Sequence, residues 1–282
     1  MNRTAEPASI RQLLEQATGL LTTDSAQLDA EVLLAHALGK TRSHLRAWPE
    51  KFPSAEQQQY FQKLLQARIG GEPVAYLTGQ REFWSLPLAV TPATLIPRPE
   101  TETLVARALE RIPADSRVQI ADLGTGSGAI ALAIARERPR AQIVATDISA
   151  AAIDTATANA RQLGIRNIEF RCGNWCATLN RQLFDLIVSN PPYISNTDPH
   201  LQQGDVRFEP RTALAAGPQG MDELVKIAHC TRQHLHNDGW LMMEHGYDQA
   251  DQVTQLLTTC GFRHVTDHPD DAGLGRVVIG QC

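Results

Sequence analysis

The sharpest chemical signal in the chain is a motif of four residues, Asn190, Pro191, Pro192 and Tyr193, that follows a predicted buried strand at residues 184–189. Ligands of open α/β sheets bind at the carboxyl ends of strands. The prolines lack a backbone N–H and have a fixed φ, so this corner presents rigid carbonyl acceptors. The Asn190 side-chain oxygen and a neighbouring main-chain carbonyl could accept both hydrogens of a planar NH2 group, while Tyr193 stacks on its π face. The motif therefore predicts a site that holds and aims a planar amine.

Such an amine is a weak nucleophile, because its lone pair is delocalised as in an amide. It needs a strong electrophile, and the sulfonium methyl of S-adenosylmethionine supplies one without a metal or a covalent enzyme intermediate. Catalysis would then be mostly alignment of the two reactants, which can contribute up to about 7 to 11 kcal/mol. The motif thus favours methyl transfer from S-adenosylmethionine.

A glycine-rich loop lies between a predicted strand and a predicted helix, with the sequence ADLGTGSG at residues 121–128. Its glycines permit a tight turn that lets a ligand approach the backbone. We expect cofactor contacts from Asp122, Gly124, Thr125, Gly126, Ser127 and Gly128. The loop also satisfies the dinucleotide pattern G-x-G-x-x-G/A, so NAD remains open on this evidence. Asp122 could receive the ammonium of an amino-acid moiety or brace the backbone.

Two residues beyond the loop are further candidates for cofactor binding. Asp147 closes the next predicted strand, where a carboxylate can accept both hydroxyls of an adenosine ribose. The alternative for Asp147 is an N-cap of the helix that starts near Ser149. Trp175 follows the third predicted strand, where it could flank adenine or serve as a core or rim tryptophan.

The segments that must position these residues form three regions. Residues 1–72 show apolar residues at helical spacing and predict a helical N-terminal domain for substrate recognition. Residues 73–99 are rich in proline with short β-prone runs, and predict a connector with a β-hairpin. In residues 100–282 helices and strands alternate, and the last two strands have no helix between them. We therefore predict an α/β domain with a mostly parallel seven-stranded sheet that includes an antiparallel strand.

The pairing of DLGTGSG with NPPY resembles the S-adenosylmethionine-dependent methyltransferases that act on amino groups. Their targets are adenine N6, cytosine N4 and glutamine N5. All three are NH2 groups on an sp2 carbon, so NPPY does not choose between them. The helical N-terminal domain, PVAYLTGQREFW at 73–84 and LIPRPETE at 95–102 are similar to the release factor glutamine methyltransferase family.

This second resemblance spans nearly the whole chain. It implies a Rossmann-like class I methyltransferase domain and N5-methylation of a glutamine in class-1 peptide chain release factors. It further implies cofactor contacts at Gly124–Gly128, Asp147, Trp175 and Asn190. The substrate glutamine would be held by Asn190–Tyr193, with Asn190, Pro191 and Tyr193 as the catalytic residues.

Other functions are weaker interpretations of the sequence. A nucleic-acid adenine-N6 methyltransferase with the same NPPY corner is the main alternative. The net charge of −5 and the equal numbers of acidic and basic residues before residue 81 favour a protein substrate, with no direct nucleic-acid recognition. A non-enzymatic nucleotide-binding adaptor is disfavoured because the full NPPY acceptor set is present. An NAD oxidoreductase would leave NPPY unexplained.

The cysteines and histidines suggest neither a disulfide framework nor a metal site. The five cysteines are odd in number, and Cys172 and Cys176 have C-x3-C spacing, which favours free thiols. His229, His234 and His236 are predicted on the surface of a helix near residues 220–236, without a metal role.

The longest apolar run, AIALAIA, is far shorter than the roughly 20 residues that span a bilayer, and the first twenty residues show no export signal. We expect a cytoplasmic protein that does not contact a membrane. The roles of Arg98, Glu100 and Glu102 stay open between a solvated helix start and a wall of the active site.

Overall fold

Short amphipathic helices build the first unit of the chain, which ends at Gly79 in the computed structural model. The structure describes residues 8–282, so residues 1–7 of the predicted domain 1–72 lie outside the described residues. The helices of this unit are α1 (Ile10–Leu20), α2 (Ala26–Leu38), α3 (Arg42–Ala47), α4 (Ala55–Ile69) and α5 (Val74–Thr78).

Local sequence explains where the longer helices start and stop. Ser9 and Ser54 each close a capping box at the start of α1 and α4, which satisfies orphan N–H groups of the first turn. Gly39 takes a left-handed conformation that ends α2. These three helices confirm the prediction, and their apolar faces share one core. Helices α3 and α5 were not predicted, because six and five residues are too few to reveal a period.

A seven-stranded sheet forms the centre of the second unit, Gln80–Cys282, with the strand order β5-β4-β3-β6-β7-β9-β8. A separate hairpin, β1 (Gln80–Phe83) and β2 (Leu86–Ala89), precedes it. The sheet strands are β3 (Gln119–Leu123), β4 (Gln142–Asp147), β5 (Ile168–Cys172), β6 (Phe184–Ser189), β7 (Leu235–Glu244), β8 (Arg263–Pro269) and β9 (Gly275–Gln281). Strand β9 runs antiparallel to both of its neighbours and the other pairs are parallel. The predicted fold class is confirmed.

Helices cover both faces of this sheet. They are α6 (Glu102–Arg111), α7 (Ala129–Glu137), α8 (Ala150–Leu163), α9 (Asp222–Thr231) and α10 (Ala250–Thr259). Buried residues of α6, α7 and the hairpin join one core, whereas those of α9 and α10 join a second core on the other face. The segment predicted as a connector, 73–99, is thus shared: α5 belongs to the first unit and the hairpin to the second.

The chain order of the strands reverses between β3 and β6. From β3 the chain continues to β4 on one side, while β6 begins the other half of the sheet. Leu123 lies opposite Ser189 at the carboxyl ends of these two strands, and the Ser189 hydroxyl donates to the Leu123 carbonyl at 2.7 Å. The glycine loop and the NPPY motif therefore start side by side at a topological switch point, where open sheets bind ligands.

The predicted helix over residues 220–236 is wrong in extent. Helix α9 ends at Thr231, and β7 begins at Leu235 with a shift in its register against β6. His229 lies exposed on α9 as predicted, but His234 is buried after the helix and His236 belongs to the strand. The apolar alternation needed to recognise a strand is interrupted here by the polar run HNDG.

The prediction of free thiols is wrong for two of the five cysteines. Cys176 and Cys230 form a disulfide with Cα atoms 6.1 Å apart, a separation typical of disulfides. Spacing arguments missed this pair because its members lie 54 residues apart in sequence and meet only when α9 packs beneath the turn after β5. Cys172, Cys260 and Cys282 are free. No helix within residues 8–282 has the length and apolar character to cross a membrane.

Candidate active site

A cavity of about 410 Å³ lies at the carboxyl ends of β3, β4 and β6. This volume falls within the roughly 300 to 1,000 Å³ of typical small-molecule sites. Most of the predicted site residues line it: Gly124, Thr125, Gly126, Ser127, Asp147, Trp175, Asn190 and Pro192. Asp122, Gly128, Pro191 and Tyr193 do not belong to its lining, and their predicted roles in binding stay predictions.

The glycines of the loop are required by backbone conformation and by space. Gly124 and Gly128 have φ angles of 77° and 87°, which side chains with a Cβ rarely adopt. A Cβ on Gly124 would lie 2.9 Å from Cζ3 of Trp175, and one on Gly128 would lie 2.9 Å from Cδ1 of Leu132. The loop therefore brings its backbone to the cavity wall while α7 and Trp175 pack tightly against it.

Asp147 braces this loop and also faces the cavity. Its Oδ2 accepts from the Gly126 N–H at 2.9 Å, and its Oδ1 accepts from the Ser149 N–H at 2.9 Å. Ser149, not Asp147, is the N-cap of α8, since its hydroxyl accepts from the Ala152 N–H. A carboxylate has about four lone-pair positions. Two backbone contacts therefore leave acceptor capacity for the hydroxyls of a bound ribose.

Asp122 is fully buried beneath the loop. The Thr125 hydroxyl donates to its Oδ2 at 2.6 Å, so Asp122 holds a residue of the cavity wall. Burial raises the pKa of Asp122 to about 7, against the opposing effect of the Thr125 hydrogen bond. Its Oδ1 is buried and has no hydrogen-bond partner of good geometry among the described residues, although the Ala131 N–H lies close enough to lower the pKa of the carboxyl. An acceptor without a well-aligned donor is costly, but Asp122 is buried outside the cavity lining, and its predicted contact with an ammonium group stays a prediction.

Trp175 is fixed as part of the cavity wall. Its Nε1 donates to Glu223 Oε2 on α9 at 2.7 Å, and Lys226 forms an ion pair with the same carboxylate at 2.7 Å. The Cys176–Cys230 disulfide joins the same turn to α9. A flat, half-buried side chain held in this way suits a wall against adenine better than the alternative role as a core residue.

The NPPY motif places one free acceptor at the cavity. The Asn190 Nδ2 donates to the Thr101 hydroxyl oxygen at 3.1 Å, which leaves the Asn190 Oδ1 for a ligand. Pro191 is buried and Pro192 contacts the cavity. The Tyr193 hydroxyl donates to Glu244 Oε1 at 3.1 Å, and burial raises the pKa of this phenol. The motif is thus anchored through side chains on both of its ends.

Of the three residues whose roles the sequence left open, Arg98 lines the cavity, whereas Glu100 and Glu102 do not. Arg98 lines the cavity and forms an ion pair with Glu209, whose Oε2 accepts from the Ile96 N–H at 2.9 Å. Burial raises the pKa of Glu209, and the Arg98 charge opposes that rise. Glu102 accepts from the Trp84 N–H at 2.8 Å and so holds the hairpin turn. Glu100 is exposed and does not line the cavity.

Sequence reasoning missed Thr101, Glu209 and Glu244. Thr101 falls inside the segment LIPRPETE, which the family resemblance had marked, but its partner Asn190 lies 89 residues away. Glu209 and Glu244 carry no local pattern that distinguishes them from surface acids. The residues that the structure describes contain no group of three His, Cys, Asp or Glu side chains arranged to hold a metal ion.

Two family models match the chain. The PrmC N-terminal domain matches residues 10–79, and the methyltransferase small domain matches residues 102–206. Among the solved structures that share the fold, two are 17% identical to this chain. A methyltransferase from Pyrococcus furiosus has a TM-score of 0.54 over 77% of this chain and 96% of its own. The hMettl16 catalytic domain in complex with MAT2A 3'UTR hairpin 6 has a TM-score of 0.57 over 77% and 81%. At this identity the likeness concerns the fold alone.

Curated relatives match over nearly their full length. The release factor glutamine methyltransferase of Aliivibrio fischeri is 49% identical, with 97% of each chain covered. The protein of the same name from Coxiella burnetii is 48% identical, with 97% of this chain and 99% of the relative covered. That from Escherichia coli (strain K12) is 48% identical, with 95% and 97% covered. The resemblance seen in the motifs is confirmed, and the chain belongs to the release factor glutamine methyltransferase family.

Proposed function

We propose that this protein transfers a methyl group from S-adenosylmethionine to the side-chain amide nitrogen (N5) of a glutamine in class-1 peptide chain release factors, giving N5-methylglutamine. The proposal depends above all on Asn190. Its Nδ2 is occupied by Thr101, so the Oδ1 is left at the cavity as an acceptor for an NH2 group. Relatives that cover nearly the whole chain carry the name of this activity.

The residues around the cavity fit S-adenosylmethionine. Asp147 has acceptor capacity for the ribose hydroxyls, and Trp175 offers a flat wall for adenine. The glycine loop, whose backbone forms part of the cavity wall, suits the amino-acid moiety. When bound, S-adenosylmethionine supplies a methyl group on a positively charged sulfur.

The protein's own contribution is to hold the glutamine amide. The Asn190 Oδ1 and a neighbouring main-chain carbonyl would accept the two amide hydrogens, which fixes the plane of the NH2 group and draws it towards a tetrahedral geometry. Holding the nitrogen in this way converts an encounter of two molecules into a pre-aligned reaction, an effect of up to about 7 to 11 kcal/mol. The nitrogen becomes acidic as the methyl group is transferred, so water can accept the released proton and no side chain needs to act as a strong base.

The helical first unit is the proposed recognition module for the release factor. Of the eleven exposed large apolar side chains in residues 8–282, six lie in this unit, although it is the smaller of the two. They are Leu20, Leu28, Trp48, Phe52, Tyr60 and Ile69. Exposed apolar groups on a surface of balanced charge suit contact with a protein better than contact with a polyanion.

The test is an incubation of the protein with labelled S-adenosylmethionine and, in separate reactions, purified release factor, duplex DNA and RNA. We expect label in the release factor, and mass spectrometry should locate one added methyl group on a glutamine side chain. Asn190→Ala should abolish most of the signal. Asp185→Asn is a matched control on β6, because Asp185 accepts from the Gln119 N–H at the opposite end of the sheet. Stronger labelling of nucleic acid than of release factor would contradict the proposal and favour the adenine-N6 activity.

A further inference from the structure

Polar contacts join the two ends of the NPPY motif through residues outside it. Asn190 donates to the Thr101 hydroxyl oxygen, and the Tyr193 hydroxyl donates to Glu244 Oε1, each at 3.1 Å. The Thr101 hydroxyl lies close enough to the Glu244 carboxylate to lower the pKa of that carboxyl. The buried Glu244 Oε2 has no hydrogen-bond partner of good geometry within residues 8–282, so it is the acceptor left for the Thr101 proton.

Glu244 lies behind the site and not in it. It is the last residue of β7, and the preceding Met243 pairs with Ser189 of β6, so Glu244 is level with Asn190 at the carboxyl edge of the sheet. Its relative exposure is 1%, and it is not part of the cavity lining. A buried carboxylate without a fixed ion partner is expensive to maintain, which favours a functional reason for keeping it at this position.

We propose that Glu244 is a positioning residue for methyl transfer, which holds Thr101 and Tyr193 so that the Asn190 amide keeps its oxygen towards the substrate. The inference rests on the proposed function, because it concerns how the Asn190 amide that would bind the substrate is oriented. Glu244 acts through its neighbours and does not itself contact the glutamine.

The direction of the hydrogen bonds gives Glu244 this role. Thr101 accepts from Asn190, so the Thr101 proton must go to another acceptor. An ionised carboxylate only accepts, and it therefore fixes the order from Asn190 through Thr101 to Glu244. A protonated Glu244 could donate its own O–H to Thr101, which would free the Thr101 proton to donate to the Asn190 oxygen, and the Asn190 amide would lose its fixed orientation.

The groups around Glu244 place its change between the ionised and the protonated form near neutral pH. Burial raises the pKa of Glu244 to about 7, and Glu100 adds to the rise. Thr101, Tyr193 and the Arg276 guanidinium on β9 favour the ionised form and oppose it. Burial also raises the pKa of the neighbouring Tyr193, and the Arg98 charge opposes that rise. Since the ionised form is the one that orients Asn190, kcat should fall as the pH drops through about 7.

The test uses Glu244→Gln in the full chain, because glutamine keeps the shape but replaces one acceptor with a donor. We expect kcat for methylation of release factor to fall by about tenfold or more, while KM and the cofactor affinity measured by calorimetry change by less than about twofold. The fall in kcat on the acid side should be absent from the variant. Asp185→Asn, the control on β6, should keep both the wild-type kcat and its acid-side fall.

A Glu244→Gln protein with kcat within about twofold of wild type, or with the acid-side fall intact, would overturn the inference. If this variant does not fold, Thr101→Val and Thr101→Ser decide the question. Loss of kcat in the first with recovery in the second supports the inference, and equal behaviour of the two overturns it. A wild-type protein that does not methylate release factor contradicts the proposed function, whereas an active wild type with an unaffected Glu244→Gln overturns only the positioning role.

Discussion

Replacing Asp147 should weaken cofactor binding without unfolding the protein. Its carboxylate has two structural partners, the N–H groups of Gly126 and Ser149, each at 2.9 Å, and it also faces the cavity. Asp147→Ala removes both backbone contacts and the proposed ribose contacts together. Asp147→Asn keeps one oxygen and removes the charge, so its effect should lie between wild type and alanine.

The magnitude follows from counting these contacts. A hydrogen bond to a charged group contributes about 1.5 to 3 kcal/mol, and two ribose hydroxyls would lose such bonds. Water can enter beside the loop and recover part of the loss at Gly126 and Ser149, since both contacts are only partly buried. We therefore expect a net loss of at least about 1.4 kcal/mol in Asp147→Ala, which is a tenfold rise in Kd.

Calorimetry with S-adenosylhomocysteine measures this change, and a cofactor analogue without ribose hydroxyls identifies its cause. The wild-type protein should bind S-adenosylhomocysteine more tightly than the analogue without ribose hydroxyls. Asp147→Ala should lose most of this difference in Kd, and the loss measures the coupling between Asp147 and the hydroxyls, as in a double-mutant cycle. Asp154→Asn is a matched control, because Asp154 is an exposed acid of α8 outside the cavity lining. Equal discrimination by wild type and Asp147→Ala would refute the ribose contact and leave Asp147 only its role in bracing the loop.

Three further predictions concern other parts of the molecule. Asn190→Ala should lower kcat by about 100-fold while cofactor affinity changes by less than about threefold. Rapid kinetics measures the first quantity and calorimetry the second. As a control, replacement of the exposed Asn237 by alanine should change neither. Thiol titration of the unfolded, unreduced protein should find three free thiols, and five after reduction, because Cys176 and Cys230 are paired; five before reduction would contradict the disulfide. Removal of residues 1–79 should leave cofactor binding nearly unchanged but reduce methylation of intact release factor by about 100-fold, and equal rates for both forms would exclude this unit as the recognition module.

The parts of the fold that the sequence predicted are those with local signals. Long helices can be recognised in the sequence by their periodicity and by caps such as Ser54, and the strands of the sheet by short apolar runs. The glycine loop and NPPY could be placed because each follows such a strand directly. The same logic failed between Thr231 and Trp240, where polar residues continue past the helix into an irregular strand.

The contacts that orient the site were beyond sequence reasoning because they join distant segments. Asn190 meets Thr101 across 89 residues, and Ile96 meets Glu209 across 113. Nothing in the neighbourhood of Glu209 or Glu244 separates a buried acid from a solvated one, because burial is decided by the packing of other elements. The same limit hid the disulfide, whose cysteines belong to different elements.

The contacts that hold the NPPY motif in place explain why this motif does not by itself select the substrate. Asn190 is held by Thr101, Tyr193 by Glu244, and the Tyr193 carbonyl accepts from Gln249 Nε2 at 3.1 Å. An NPPY motif held by several contacts orients any planar amine that binds to it. This orientation raises kcat but does not distinguish adenine from glutamine. Discrimination then requires binding energy from a surface remote from the reacting atoms. We propose that the exposed apolar side chains of the helical unit supply it.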